Sequence, residues 1–289
     1  MIQVFTGSCV TVMSKTENKI KPEITNKTEY WDINLSKITD ANLIDEVIKF
    51  HQGTTIIKRD NNSNPYNIDI IKWLSNTEHT DVLPNLYISE HPLIPFDCNN
   101  QGSIREFNIN EELNFTTLSR IIKNTFGRTN EKKSKRHPSA GGLYPVIPVI
   151  CILNTFTEAI LTRGAYVYDS YSHSLKKIKE WTDNEYYEFV NVLNPWEKGA
   201  LFSNYLIAYA IDIKRAVAKY KKRGYRQALI ELGTMDQAFK ESLIEENQNL
   251  GEFSYSAFDD NALTYHLGLN PRTCPVALIQ WFGKRGVKS

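Results

Sequence analysis

Residues Val146–Leu153 read VIPVICIL, an apolar run dominated by β-branched side chains and of the length of a buried strand. Pro148 interrupts it with a residue that cannot donate to a ladder, which favours a sheet edge or a bulge. Two later runs have the same texture: YLIAYAIDI, from Tyr205 to Ile213, and VALIQWF, from Val276 to Phe282. Tyr166–Tyr168, followed by DSYSHS and LKKI, predicts a hairpin. Between the strands Ala228, Leu232, Met235, Phe239 and Leu243 recur every three or four residues, predicting a long helix with one face in the core. Upstream, Leu118, Ile121, Ile122 and Phe126 share a helical face, and Gly127 supplies a C′ stop. Strands separated by hairpins and helices in irregular order give the fold class α+β with layered packing.

The first hundred or so residues differ, with many Asn and short apolar islands. Leu43, Ile44, Val47, Ile48 and Phe50 fit one amphipathic helix. RDNNSNPYN, Arg59–Asn67, and PLIPFDCNNQG, Pro92–Gly102, read as loops, and the second marks the boundary. The expected organisation is an accessory segment at 1–102 and a larger domain at 103–289, consistent with the length prior for 289 residues. Apolar residues make up 41% and charged residues 23%, with five Trp, fifteen Tyr and thirteen Phe, which excludes disordered, collagen-like and coiled-coil classes. Thirty-four Lys and Arg against 33 Asp and Glu leave a net charge of +1, so no global field steers the chain to nucleic acid or to an anionic membrane.

No run approaches the roughly 20 apolar residues that cross a bilayer, and the N-terminus lacks a secretory pattern, so a cytoplasmic location is expected. Cys9, Cys98, Cys151 and Cys274 lie far apart and read as free thiols. The six histidines show no ligand spacing, so no metal site is expected.

Two stretches carry chemistry. Arg136 to Pro145 reads RHPSAGGLYP, in which two glycines and a serine let a backbone approach a flat or anionic ligand and leave N–H groups free to donate. It is neither a P-loop nor a dinucleotide fingerprint, and spacing alone leaves an ordinary tight turn open. From Lys214 to Arg226, seven of thirteen residues are basic. Such a run is either a solvated face or a group of cations converging on an anion, in which an adjacent Tyr can relay a proton.

Taken in order, PSAGGLYP, GAYVYD, KYKKRGYRQALIELGTMDQ, SAFDD and CPVALIQWFGKRG resemble the flavin-dependent azoline dehydrogenases of the nitroreductase superfamily, the type found in microcin B and streptolysin S maturation. The resemblance covers about residues 115 to 286. It implies a nitroreductase-like FMN-binding fold, a central antiparallel sheet flanked by helices, and a homodimer with FMN at the subunit interface. It assigns Pro138, Ser139, Ala140, Gly141 and Gly142 to the flavin, and Lys219 and Tyr220 to catalysis. Arg136, Arg223 and Arg226 become candidates for the FMN phosphate, since a guanidinium fork pairs phosphate bidentately.

The chain departs from the family where Gln237 is followed by Ala238 rather than Asn, and where Ala257 replaces a glycine before Phe258 and Asp259. A methyl at Ala257 would crowd a backbone approaching the flavin. Asn249 stands for another family glycine, at a left-handed C′ position that Asn tolerates.

The implied activity is oxidation of thiazoline and oxazoline rings to thiazoles and oxazoles in a ribosomally made precursor peptide, in association with cyclodehydratase subunits. The alternatives are an NAD(P)H-dependent nitro or quinone reductase, a dehydrogenase of amino-acid or dipeptide bonds, and a scaffolding subunit of a peptide-modifying complex.

Overall fold

The computed structural model describes residues 35, 37–57, 67–78, 80–82, 86, 88–96, 102–129, 134–154, 160–193, 201–246 and 249–286. Among them seven helices and six strands follow in chain order. The helices are α1 (Ala41–Gln52), α2 (Ile68–Thr77), α3 (Phe115–Phe126), α4 (Asp183–Leu193), α5 (Ile213–Tyr220), α6 (Lys222–Glu246) and α7 (Asp260–His266). The strands are β1 (Val146–Ile152), β2 (Gly164–Asp169), β3 (Ser174–Lys179), β4 (Tyr205–Ile211), β5 (Leu250–Tyr255) and β6 (Val276–Lys284). They form one antiparallel sheet in the order β3-β2-β1-β4-β6-β5.

The alternation of a strand explains how one apolar run serves two layers. Along β4, Tyr205, Ile207, Tyr209 and Ile211 face one layer with residues of α1, α3, α5 and α6, while Leu206, Ala208 and Ala210 face the other with residues of α4 and α7. Every residue of β4 is buried, as a central strand covered on both faces must be. Pro148 is accommodated without a sheet edge. Pairing of β1 with β2 begins at Val149, so the β2 side of Pro148 lies outside that ladder even though β1 is an interior strand.

The hairpin forms as β2 and β3, with an irregularity between Ala165 and Tyr166. Helix α3 ends at Gly127, but not by a left-handed residue: Gly127 is extended, at φ −68 and ψ 168. Its lack of a side chain matters for space, since a β-carbon there would lie 2.3 Å from the Lys123 carbonyl oxygen. Asn249 does adopt a positive φ of 55, the conformation expected of it.

The compact unit that holds the sheet runs from Thr39 to Ser289, so α1 packs within it. Val47 and Ile48 are buried against the layer of α5 and α6, whereas Phe50 points outward. A hydrogen bond of 2.6 Å joins His51 Nδ1 to the Tyr225 hydroxyl, and Gln52 and Asn261 exchange side-chain amide bonds. The turn-rich stretch Arg59–Asn67 lies outside the described residues except at Asn67, which caps α2. Cys151 is a buried free thiol; Cys9 and Cys98 lie outside the described residues. No helix of the described residues is long and apolar enough to cross a membrane, and no cluster of metal-ligating side chains occurs among them.

The basic stretch after β4 is two helices rather than a loop. Ile213, Ala216 and Val217 give α5 a buried face, and Lys221, at φ 53 and ψ −141, breaks the chain before α6. Gly224 lets the two helices touch, because a β-carbon there would sit 1.9 Å from the Ala216 carbonyl oxygen. Replacing a helical glycine by alanine ordinarily stabilises by up to about 1 kcal/mol. Overpacking against a backbone atom costs about 1–3 kcal/mol, so here the clash prevails. Gly224→Ala is therefore expected to lower stability in denaturant unfolding. Gly233→Ala, in the same helix with nothing within 4 Å of the added methyl, should leave it unchanged or raise it.

Candidate active site

Residues 138–145 fold as a tight loop leading into β1. A short 3₁₀ turn, Ala140–Gly142, is closed by the Gly142 amide donating to the Ser139 carbonyl at 3.0 Å. The Tyr144 amide donates to Ser139 Oγ at 2.8 Å, so the serine hydroxyl braces the loop from within. Gly141 and Gly142 both have φ 67, and Tyr144 has φ 48. The end of the loop is fixed to the start of α5, since the Asp212 amide donates to the Pro145 carbonyl at 2.9 Å.

That tie brings the two candidate stretches together. A β-carbon placed on Gly141 would lie 2.8 Å from the Tyr220 hydroxyl oxygen and 3.1 Å from Lys219 Nζ. Lys219 and Tyr220 end α5, and the Lys219 ammonium stands 5.4 Å from the centre of the Tyr220 ring. Both are exposed, as are Gly141 and Gly142, so loop and pair form one surface. Around Gly142 a β-carbon would meet nothing within 4 Å. The loop thus presents a backbone cleared of side chains beside an amine and a phenol, an arrangement suited to a flat ligand and a proton acceptor.

The three candidate arginines fare differently. Arg136 is held by carboxylates of α6, with Nη1 to Glu245 Oε2 and Nη2 to Glu245 Oε1 both at 2.6 Å and Nη2 to Glu241 Oε2 at 3.1 Å. Its fork is therefore a clamp between the loop and α6. Arg223 and Arg226 lie exposed in the first turns of α6. Ala257 is half-buried in the turn from β5 to α7, next to Phe258, which packs in the α4 and α7 layer on the face of the sheet opposite α5 and α6.

Sequence reasoning missed two cations beside the loop, Arg128 and Lys135. Arg128 Cζ stands 4.6 Å, and Lys135 Nζ 5.1 Å, from the centre of the Tyr144 ring. Arg215, at the start of α5, adds its charge to the same place. Burial, reinforced by the charges of Arg128 and Arg215 and opposed by Glu231, pulls the Lys135 ammonium down to about 8. It also missed His137 and Glu231, which are buried 3.7 Å apart behind the loop. The signal available was the density of cations in GRT and KKSKRH, which reads equally as a solvated stretch.

An antiparallel six-stranded sheet of this order, with its flanking helices and glycine loop, is a nitroreductase-like fold. Among solved structures, the chain superposes on a chain of the Escherichia coli microcin synthetase McbBCD complex with truncated pro-MccB17 bound, with a TM-score of 0.74 and 21% identity, covering 89% of this chain and 97% of that one. It also superposes on a Ralstonia eutropha protein named as a nitroreductase, with a TM-score of 0.50 and 17% identity, over 72% of this chain and 97% of that one. In sequence it is homologous to the microcin B17-processing protein McbC of Escherichia coli, 26% identical over 174 residues. That match covers 60% of this chain and 62% of McbC, less than two thirds of the relative's length. No protein-family model matches the chain.

The Lys135 environment sets a pH dependence. With its folded value depressed from 10.5 to about 8, Lys135 is mostly charged below about 8 and loses its charge as pH rises through that value. An anion held by the cluster gains from the charged form, so affinity for inorganic phosphate should fall as pH rises through that value. Calorimetric titration on either side of it checks the expectation, and Lys135→Met should flatten the dependence.

Proposed function

We propose that this chain is an FMN-dependent azoline dehydrogenase that oxidises thiazoline or oxazoline rings to thiazoles or oxazoles in a ribosomally made peptide. The observation that carries the reading is the approach of Lys219 and Tyr220 to the cleared backbone at Gly141. Homology to McbC and the fold shared with a chain of the microcin synthetase complex support it.

The residues fit FMN. The open space around Gly142 accepts a planar ring, and Arg128, Lys135 and Arg215 offer the nearby positive charge that a phosphate dianion needs. We assign the phosphate to this cluster, in which Arg128 also donates through Nε to Ser170 Oγ at 3.2 Å, rather than to Arg136, whose two terminal nitrogens are both held by carboxylates of α6. Pro138, Ser139, Ala140, Gly141 and Gly142 form the cradle, and Arg223 and Arg226, exposed in the first turns of α6, are the remaining phosphate candidates. FMN, when bound, supplies the two-electron acceptor for the ring. Aromatisation removes a proton from one ring carbon and a hydride from its neighbour, so a base must face the substrate beside the cradle. Lys219 Nζ and the Tyr220 hydroxyl are placed for that proton, one accepting it and the other orienting the ring or passing it to water.

The exposure of cradle and pair fits a site completed by another surface. A homodimer supplies it, and brings the layer that carries Ala257 of one copy toward the loop of the other. Cyclodehydratase subunits and the precursor peptide are the remaining proposed partners, in the cytoplasm, with the segment before Gly102 as their contact region.

Three outcomes are expected. Reconstitution with FMN and a thiazoline-bearing peptide should remove two hydrogens per ring by mass spectrometry. Rapid NAD(P)H oxidation without the peptide would favour the nitroreductase alternative instead. Lys219→Ala and Tyr220→Phe should retain FMN yet lose turnover by about 10² or more; wild-type rates would remove the pair from the mechanism. Light scattering should show a flavin-loaded dimer, and a flavin-loaded monomer would overturn the shared site.

A further inference from the structure

Behind the glycine loop lie two ionisable side chains that the proposed chemistry does not use. His137 immediately precedes Pro138, and Glu231 projects from α6; their side chains are 0% and 2% exposed. His137 Nε2 stands 3.7 Å from Glu231 Oε1, and both ring nitrogens and that carboxylate oxygen have no hydrogen-bond partner among the described residues. The imidazole also meets the Tyr144 ring edge-on, at 5.7 Å between centroids and 85° between planes. Tyr144 in turn donates its amide to Ser139 Oγ and accepts the Lys135 amide on its hydroxyl at 3.1 Å. His137 therefore touches, through one ring, the residue that closes the loop from both ends.

Buried ionisable pairs are rarely the most stable solution for a core, because desolvation offsets most of their attraction; apolar residues of similar volume often do as well or better. Removing one partner is a different matter, since the other is left buried and uncompensated. A pair with this energetic profile fixes position rather than adding stability. Here the pair lies between the loop and the helix whose first turn follows Lys219 and Tyr220.

We propose that His137 and Glu231 are positioning residues that lock residues 135–144 onto α6 and so set the approach of Gly141 to Lys219 and Tyr220. The proposal rests on the flavin reading only for its effect on cofactor binding; its effect on the loop stands without any cofactor.

The test uses the full chain with Glu231→Gln, His137→Gln and the double variant, which leaves no unpaired charge and is the least prone to misfold. Without cofactor, amide hydrogen exchange should quicken about tenfold or more at Lys135, Gly142 and Tyr144 in each single variant, while the central amides of α6 keep their protection. In the double variant the effect should fall short of the product of the singles, as expected of two groups acting as one unit. With FMN as probe, the same variants should bind about tenfold more weakly than wild type. Loop amides that exchange as in wild type overturn the positioning role. Effects that multiply in the double variant overturn the pairing, and loss of protection throughout α6 reduces the pair to general stability. If wild type binds no FMN while the loop amides respond as predicted, the flavin reading fails and the positioning role stands.

Discussion

The site depends on one steric constraint, the passage of the Ala216 carbonyl over a residue that can carry no side chain. Gly224 meets it, and Lys221 takes up the change of direction at φ 53 and ψ −141, a sparsely populated conformation that costs a non-glycine residue roughly 1–3 kcal/mol. The return is geometric. A continuous helix from Ile213 to Glu246 would carry Lys219 and Tyr220 in its middle, with their neighbours on all sides; the break leaves them at a helix end, projecting toward the loop. The sheet fixes the other half of the meeting, because β1 and β4 pair along their whole length and so hold Pro145 and Asp212, the residues just outside their ends, within one hydrogen bond.

Helix α6 then acts as the common wall. It offers Glu231 to His137 and Glu241 with Glu245 to Arg136, so two adjacent side chains in the bend before the loop reach carboxylates ten and fourteen residues apart, roughly 15–21 Å of helix. The two contacts differ in kind. Arg136 is a bidentate, partly solvated pair of the sort that contributes on the order of 1 kcal/mol and tolerates movement. His137 is enclosed, and enclosure is what makes its position costly to change.

How much of this was legible in the sequence follows from what each segment has to bury. β1, β4 and β6 were legible because a strand covered on both faces reads as a continuous apolar run. β5 was not, since LGEFSY holds a glycine and a buried Glu252, whose Oε2 accepts from Gln280 Nε2 at 2.9 Å. α5 was hidden by its own cations: Ile213, Ala216 and Val217 mark a face, but four of its neighbours up to Lys221 are basic. Gly127 could be read as a stop but not as an extended one, because the decisive contact is with the Lys123 carbonyl. Lys219, Tyr220 and the glycine loop were legible as motifs, and their meeting across some eighty residues required the register of β1 against β4. The role of Arg136 could not be read, because its partners lie more than a hundred residues away on α6.

The exposure of the site bears on what kind of assembly can use it. Charges and dipoles on an open surface are screened by water, where two unit charges 4 Å apart interact by only about 1 kcal/mol. Proton removal from carbon asks more of a base than such a surface provides, and it needs the base, the acceptor and the ring held in place while bulk water is kept away. Lys219, Tyr220, Gly141 and Gly142 have the geometry on one side only, with Lys135 and Tyr144 providing the drier flank. Among the described residues nothing covers their other side, which is why the proposed function calls on a second surface. Under the proposed function, a second copy would close the cradle permanently and a docked peptide would close it once per turnover. A site built in that way would be assembled before it is active, and its chemistry would then be gated by association rather than by the fold of a single chain.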